Sequence, residues 1–136
     1  MTADLKNLTV AALLEALASA APAPGGGAAC ALSGALSAAL VSMVANLTLA
    51  KAPAETPDEL QVALAQAEER RQRLTVLMDA DARAYDQVIA AYRLPRATAA
   101  DKTARRAAIE AALQEATRVP LAIAAGCAAA LALAEP

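Results

Sequence analysis

The feature that most constrains the fold is a long segment bounded by two prolines. From Asp58 to Leu94 the chain contains neither proline nor glycine, and Pro57 and Pro95 flank the segment. Such a segment predicts one long helix. Residues spaced alternately three and four apart form a stripe along it, and eight of the ten stripe positions are apolar or aromatic. The stripe consists of Leu60, Leu64, Ala67, Arg71, Leu74, Met78, Asp81, Tyr85, Val88 and Tyr92.

The remaining prolines and glycines divide the chain into further helices. We predict a first helix from Thr9 to Ser19 and a second from Ala28 to Leu49. Thr98 with Asp101 is typical of a capping box, so a fourth helix should run from there to about Val119. Pro120 suits either a kink or the first turn of a fifth segment, Leu121 to Ala134. Strand signals are missing, which predicts an all-α fold. We therefore expect a single domain, residues 1–136, built as an antiparallel bundle of four to five helices around one long central helix.

Alanine dominates the apolar residues, which form 58% of the chain. Alanine favours helices but buries little area per residue, so burial of each helix contributes little hydrophobic stabilisation. The second helix and the segment from Leu121 to Ala134 carry no charge before their ends, and we expect both to be buried. That is more apolar face than a few helices can cover alone, so the pattern favours a dimer or a higher assembly.

One uncharged segment raises the question of a membrane. Thirty-five residues without a charge separate Glu15 from Lys51, and the part from Ala28 to Ala50 is long enough to span a bilayer. The segment is mostly alanine, serine, glycine and threonine, whereas lipid-facing helices are rich in larger apolar residues. We therefore favour a buried central helix over a membrane-spanning one.

Composition argues against several classes of function. The net charge of −2, two tyrosines and no phenylalanine or tryptophan disfavour nucleic-acid binding. Histidine is absent, and Cys30 and Cys127 have no metal-ligand or redox spacing, so no metal site is expected. We interpret both cysteines as free thiols. Together with an amino terminus that has no signal-peptide pattern, they favour the cytoplasm.

Asp81 is the acidic residue that we single out on the long helix. It lies on the apolar stripe, and its neighbours three and four residues away carry no positive charge. Asp79 lies about 200° round the helix, so we expect it to face outward and to pair with Arg83. A buried, unpaired carboxyl group has a raised pKa, which suits a general acid/base. The alternative role for Asp81 is a cap or a bond to a neighbouring backbone.

Two further features could bind a ligand. The turn Pro22-Ala23-Pro24-Gly25-Gly26-Gly27 precedes the second helix, so it offers free N–H groups and the positive end of a helix dipole. The alternative is a tight turn that packs two helices together. The second feature is a set of basic residues around Pro95, which could bind an anionic tail or simply be a solvated face. These residues are Arg93, Arg96, Lys102, Arg105 and Arg106.

Three blocks of the sequence resemble the cyclodeaminase domain of formiminotransferase-cyclodeaminase and its free-standing bacterial relatives. The blocks are PAPGGGAACALSGALSAALVSMVANLT from Pro22, LMDADARAYDQVIAAYRLP from Leu77, and RRAAIEAALQEATRVPL from Arg105. The resemblance implies an all-α bundle that is usually dimeric, with no metal and no cofactor beyond the folate substrate. It also implies that the second aspartate of the Asp-Ala-Asp block, Asp81, is catalytic. The family usually has phenylalanine at the position of Tyr85.

Combining the resemblance with the patterns, we predict a substrate-binding set from one turn, the end of the second helix and the second half of the third. It consists of Pro24, Gly25, Gly26, Gly27, Asn46, Lys51, Tyr85 and Arg93. The family continues with a segment that contains a Ser-Asp pair and a further long helix, and we expect those last helices to be missing from a chain that ends at Pro136.

The reaction implied by the resemblance is closure of 5-formiminotetrahydrofolate to 5,10-methenyltetrahydrofolate with loss of ammonia. Some relatives instead open methenyltetrahydrofolate with water, as cyclohydrolases, and the sequence leaves both reactions open. A truncated, inactive helical assembly or scaffold module is the non-enzymatic alternative.

Overall fold

The computed structural model describes residues 4–51 and 58–134, and these residues form helices joined by short turns, without a strand. A short 3-10 helix, Leu5–Asn7, precedes four α-helices. They are α1 (Val10–Ala18), α2 (Gly26–Lys51), α3 (Asp58–Tyr92) and α4 (Ala99–Ala132). The predicted all-α class and the long third helix are therefore confirmed.

Local sequence signals set the helix starts. The Thr9 hydroxyl accepts a hydrogen bond from the N–H of Ala12 at the start of α1, at 3.2 Å. At the start of α4 both bonds of the predicted capping box are present: Asp101 N–H donates to Thr98 at 3.0 Å, and Thr98 N–H donates to Asp101 at 2.9 Å. These bonds satisfy N–H groups that have no partner inside their helix.

The fourth helix is longer than predicted, and the second helix begins two residues earlier than its predicted start. Pro120 does not begin a fifth segment, because α4 continues through it to Ala132. Proline removes only one N–H, and α4 stays packed on both sides of it through Val119 and Ile123. The second helix begins at Gly26 rather than Ala28, so two of the three glycines belong to its first turn.

Small residues let the three long helices approach closely. Leu74 of α3 is fully buried and lies between two glycines. A Cβ atom added to Gly34 of α2 would lie 3.0 Å from the Leu74 side chain, and one added to Gly126 of α4 would lie 2.9 Å from it. Gly27 precedes Gly34 on α2 but faces Asp81, which follows Leu74 on α3, so α2 and α3 are antiparallel. The start of α4 lies at the end of α3, where Arg105 donates a hydrogen bond to the carbonyl of Tyr92, so α3 and α4 are antiparallel as well.

The outer faces of α2 and α4 are less buried than predicted. On α2 the inner positions are buried, but a row of large apolar side chains is at least half exposed in the single chain. The row consists of Leu36, Leu40, Met43, Val44 and Leu47. In the last third of α4 only Ile123, Gly126 and Ala130 are buried. The sequence cannot specify how many neighbours a helix has, so an uncharged helix can be covered on one face alone.

Both of these helices are long and apolar enough to cross a membrane by length and composition. The core helix of a soluble protein passes the same test, so this property alone is weak evidence.

The prediction for Asp79 is wrong. Its side chain is buried rather than outward-facing, with 3% of the residue exposed. Oδ1 accepts hydrogen bonds from the backbone N–H groups of Leu5 at 2.7 Å and Lys6 at 3.3 Å, and Lys6 Nζ lies 3.8 Å from Oδ2. The amino-terminal segment packs on this face of α3, so α3 has a second covered face that one apolar stripe does not reveal.

Candidate active site

The carboxyl group of Asp81 lies against the first turn of α2. A Cβ atom added to Gly27 would overlap the carboxyl group of Asp81. Position 27 therefore requires glycine for a steric reason, because any side chain there would displace the acid. The Asp81 side chain is half-buried between α2 and α3.

Two opposing effects act on the Asp81 carboxyl group. Burial removes it from water and raises its pKa above the ordinary aspartate value, and this effect dominates. The backbone N–H of Ala28 favours the ionised form and opposes the rise. The positive end of the α2 dipole also favours the carboxylate. The group is thus suited to exchange a proton closer to neutral pH than an exposed aspartate.

A cavity of about 350 Å³ opens beside Asp81. Its walls come from the α1–α2 connection, the middle of α3 and the facing part of α4, and they are mostly apolar. The lining residues are Pro22, Ala23, Gly25, Gly26, Asp81, Ala82, Ala84, Tyr85, Val88, Leu113 and Ala116. An apolar cleft with one carboxyl group suits a flat heterocycle that exchanges a proton at one edge.

Part of the predicted substrate-binding set meets at this cavity. Gly25, Gly26 and Tyr85 line it, and Gly27 contacts Asp81. Pro24 lies in the same turn, half-buried and preceded by a cis peptide bond, without lining the cavity. These positions share one end of α2.

The other three predicted residues lie far from Asp81 within one chain. Asn46 and Lys51 are roughly 28 Å and 36 Å along α2 from Gly27, at about 1.5 Å per residue. Arg93 follows the end of α3, roughly 18 Å along the helix direction from Asp81. Lys51 lies in the last turn of α2, where a cation is favourable next to the helix dipole. Substrate contact by these three residues stays a prediction, and a single chain does not bring them to the cavity.

Sequence reasoning missed the contribution of α4 to the cavity. Leu113 and Ala116 line it because α4 packs antiparallel to α3 beside Asp81. Both residues fall within the block that begins at Arg105, so the resemblance carried the signal. Helical periodicity within α4 could not supply it, because periodicity does not specify the register between two helices.

Comparison with known proteins decides the family. The formiminotransferase-cyclodeaminase family matches residues 9–136. The chain belongs to this family. The resemblance seen in the three sequence blocks is thereby confirmed.

The family's individual relatives are larger than this chain. A methenyltetrahydrofolate cyclohydrolase of Methylorubrum extorquens is 47% identical over 130 residues, which cover 95% of this chain and 62% of the relative. The formimidoyltransferase-cyclodeaminase of Sus scrofa is 39% identical over 103 residues, covering 75% of this chain and 19% of the relative. The formimidoyltransferase-cyclodeaminase of Rattus norvegicus is 32% identical over 122 residues, which cover 89% of this chain and 23% of the relative. The chain thus spans less than two thirds of the bacterial relative and about a fifth to a quarter of the mammalian ones.

Proposed function

We propose that this chain acts on the one-carbon unit carried by tetrahydrofolate, with Asp81 as the group that transfers the proton. The observation that supports this most strongly is the placement of the Asp81 carboxyl group, which lies against Gly27 at the edge of an apolar cavity. Family membership supports the folate class of substrate. The pterin would enter the cavity and present its one-carbon substituent to Asp81.

The first candidate reaction is cyclodeamination of 5-formiminotetrahydrofolate. N10 attacks the carbon of the protonated formimino group, whose C=N double bond becomes a single bond to an amino group as the new carbon–nitrogen bond forms. The Asp81 carboxylate accepts the proton that N10 loses. The resulting acid then donates this proton to the amino group, which leaves as ammonia when its bond to carbon breaks. One carboxyl group serves as base and then as acid, and the product is 5,10-methenyltetrahydrofolate. Holding N10 near the carbon supplies proximity.

The second candidate is methenyltetrahydrofolate cyclohydrolase. The relative that carries this name is 47% identical over 95% of the chain, which specifically favours it. Here water attacks the bridging carbon, and Asp81 accepts one of the water's protons. One ring carbon–nitrogen bond then breaks as Asp81 returns this proton to the departing nitrogen, and the remaining hydroxyl group releases its proton to solvent and becomes the carbonyl of a formyl group. The carbon centre and the acid are the same as in the first reaction.

A pair of assays distinguishes the candidates. Purified protein is supplied with 5-formiminotetrahydrofolate, and ammonia and methenyl product are measured. A parallel sample receives methenyltetrahydrofolate, and the loss of its ultraviolet absorbance is compared with the rate in buffer. Ammonia release supports the first candidate, and accelerated loss of the methenyl compound alone supports the second. Inactivity in both assays contradicts the enzymatic proposal and favours a helical scaffold.

We further propose that the protein works as a cytoplasmic homodimer without a metal or a bound cofactor. The half-exposed apolar row on α2 is the surface that a second copy would cover in an antiparallel helical bundle. Such a dimer would leave no apolar α2 face for a lipid bilayer.

A further inference from the structure

Across residues 4–51 and 58–134, the cavity beside Asp81 lacks a positive charge to bind the anionic part of its proposed substrate. Tetrahydrofolate carries a benzoylglutamate arm that ends in two carboxylates. Among the described residues that line the cavity, none is cationic. If the protein binds folate as proposed, this anionic arm must find its cationic partner outside the cavity.

A shallow groove, open to solvent, lies along the outer face of α4, and all of its lining residues belong to this helix. Leu113 lines both the cavity and this groove, so the two are adjoining parts of one surface. Ile109 and Arg106 line the groove one and two turns before Leu113. Arg106 is therefore roughly 10.5 Å along the helix from the cavity edge. An arm that leaves the cavity at Leu113 passes an apolar side chain before it reaches a cation.

The contacts of the other nearby arginines favour Arg106 as the partner of an anion. Arg118 lines the opposite end of the groove, but it already makes two hydrogen bonds of 2.9 Å to Glu115. Arg105 donates to the carbonyl of Tyr92 and lies 5.5 Å from the centre of its ring. Within the part of the chain that the structure describes, Arg106 makes no ion pair with a carboxylate.

The charged side chains that precede Arg106 in the sequence are mostly positive as well. Residues 93–106 contain five basic side chains and one acidic side chain, Asp101, which is occupied by the capping box. The chain as a whole has a net charge of −2, so positive charge is concentrated where α3 ends and α4 begins. We propose that Arg106 binds the glutamate carboxylates of the folate arm, and that the benzoyl ring packs over Ile109 and Leu113.

Glu110 allows a second test, in which the expected change in affinity for the folate arm has the opposite sign. It lines the same groove one turn after Arg106, and its carboxylate repels an anionic arm. Removal of Arg106 should weaken binding of the arm, whereas neutralisation of Glu110 should strengthen it.

The experiment compares two ligands by calorimetry. Tetrahydrofolate carries the glutamate, and tetrahydropteroate ends at the benzoate. Arg106→Ala should weaken tetrahydrofolate binding by roughly tenfold, as loss of a charge-assisted bond does, and should affect tetrahydropteroate much less. Glu110→Gln should tighten tetrahydrofolate binding. Arg73→Ala, an exposed cation on α3 outside the groove and outside the basic cluster of residues 93–106, serves as the matched control and should leave both affinities unchanged.

Two results would overturn the inference in different ways. Equal affinity of the wild type and Arg106→Ala for tetrahydrofolate would refute the role of Arg106 while leaving the folate function intact. Failure of the wild type to bind either ligand would refute the folate function and the inference together.

Discussion

The backbone N–H of Leu5 donates a hydrogen bond of 2.7 Å to Oδ1 of Asp79 and so joins the amino-terminal segment to the middle of α3. Asp79 is buried, and its second backbone partner is Lys6. Asp79→Ala should lower the free energy of unfolding by about 2–3 kcal/mol, because two N–H groups lose a charged acceptor. Urea denaturation measures this change. Asp79→Asn keeps an oxygen acceptor and should lose less.

The matched control is Asp86→Ala on the same helix, where the side chain is exposed. Its effect should stay within about 0.5 kcal/mol. Equal stability of Asp79→Ala and the wild type would contradict the anchoring role of Asp79.

Adjacent glycines at the start of α2 should respond differently to the same substitution. Gly27→Ala should abolish most activity, because the new methyl group would overlap the Asp81 carboxyl group and displace it. A methyl group at Gly26 meets no protein atom within 4 Å, so Gly26→Ala should leave the Asp81 carboxyl group in place and lose much less activity than Gly27→Ala. Turnover is measured for both variants alongside the melting temperature. Similar activity in both variants would show that close contact at Gly27 does not matter for the reaction.

The raised pKa of Asp81 predicts a displaced acid limb in the pH profile of kcat/KM. Activity that requires the carboxylate as a base falls when the pH drops through its pKa, and burial moves that fall above the range of an ordinary aspartate. Stability changes in the opposite direction: a raised pKa in the folded state means that ionisation of Asp81 opposes folding as the pH rises through that value. Asp81→Asn should therefore melt no lower than the wild type at neutral pH. An acid limb at the ordinary aspartate value would argue against Asp81 as the base.

The apolar row on α2 predicts self-association. Sedimentation at micromolar concentration should give a dimer, and Leu40→Lys should shift it toward the monomer because a charge would be buried in the interface. Val76→Lys, at an equally exposed position on α3, is the control and should leave the dimer intact. A compact monomer for the wild type would contradict the proposed assembly.

Much of the secondary structure was predictable because it depends on neighbouring residues. Thr98 and Asp101 form the expected capping box, and α3 begins at Asp58 as predicted. The inward position of Leu74 and Met78 also follows from helical periodicity. Asp81 was singled out in the same way, and the structure places it in a cavity with the predicted glycines.

The errors arise where distant segments meet. Asp79 is buried by Leu5, which is 74 positions away and therefore invisible to the periodicity of α3. Tyr85 and Tyr92 lie on the same stripe as Leu74 but are exposed, since α2 begins beside Asp81 and does not extend along this part of α3. Leu113 reaches the cavity through the register between α3 and α4. Packing between helices, rather than local propensity, decides each of these positions.

The central claim is that Asp81 transfers the proton, and turnover of Asp81→Asn tests it most directly. The substitution keeps the shape of the side chain and removes its titratable proton. Asp86→Asn replaces an exposed acid on the same helix and is a better control than Asp79, which is buried. The account predicts that Asp81→Asn loses roughly 10²–10⁴-fold in turnover at an unchanged or higher melting temperature, while Asp86→Asn stays near the wild-type rate. Near-normal turnover of Asp81→Asn would contradict it.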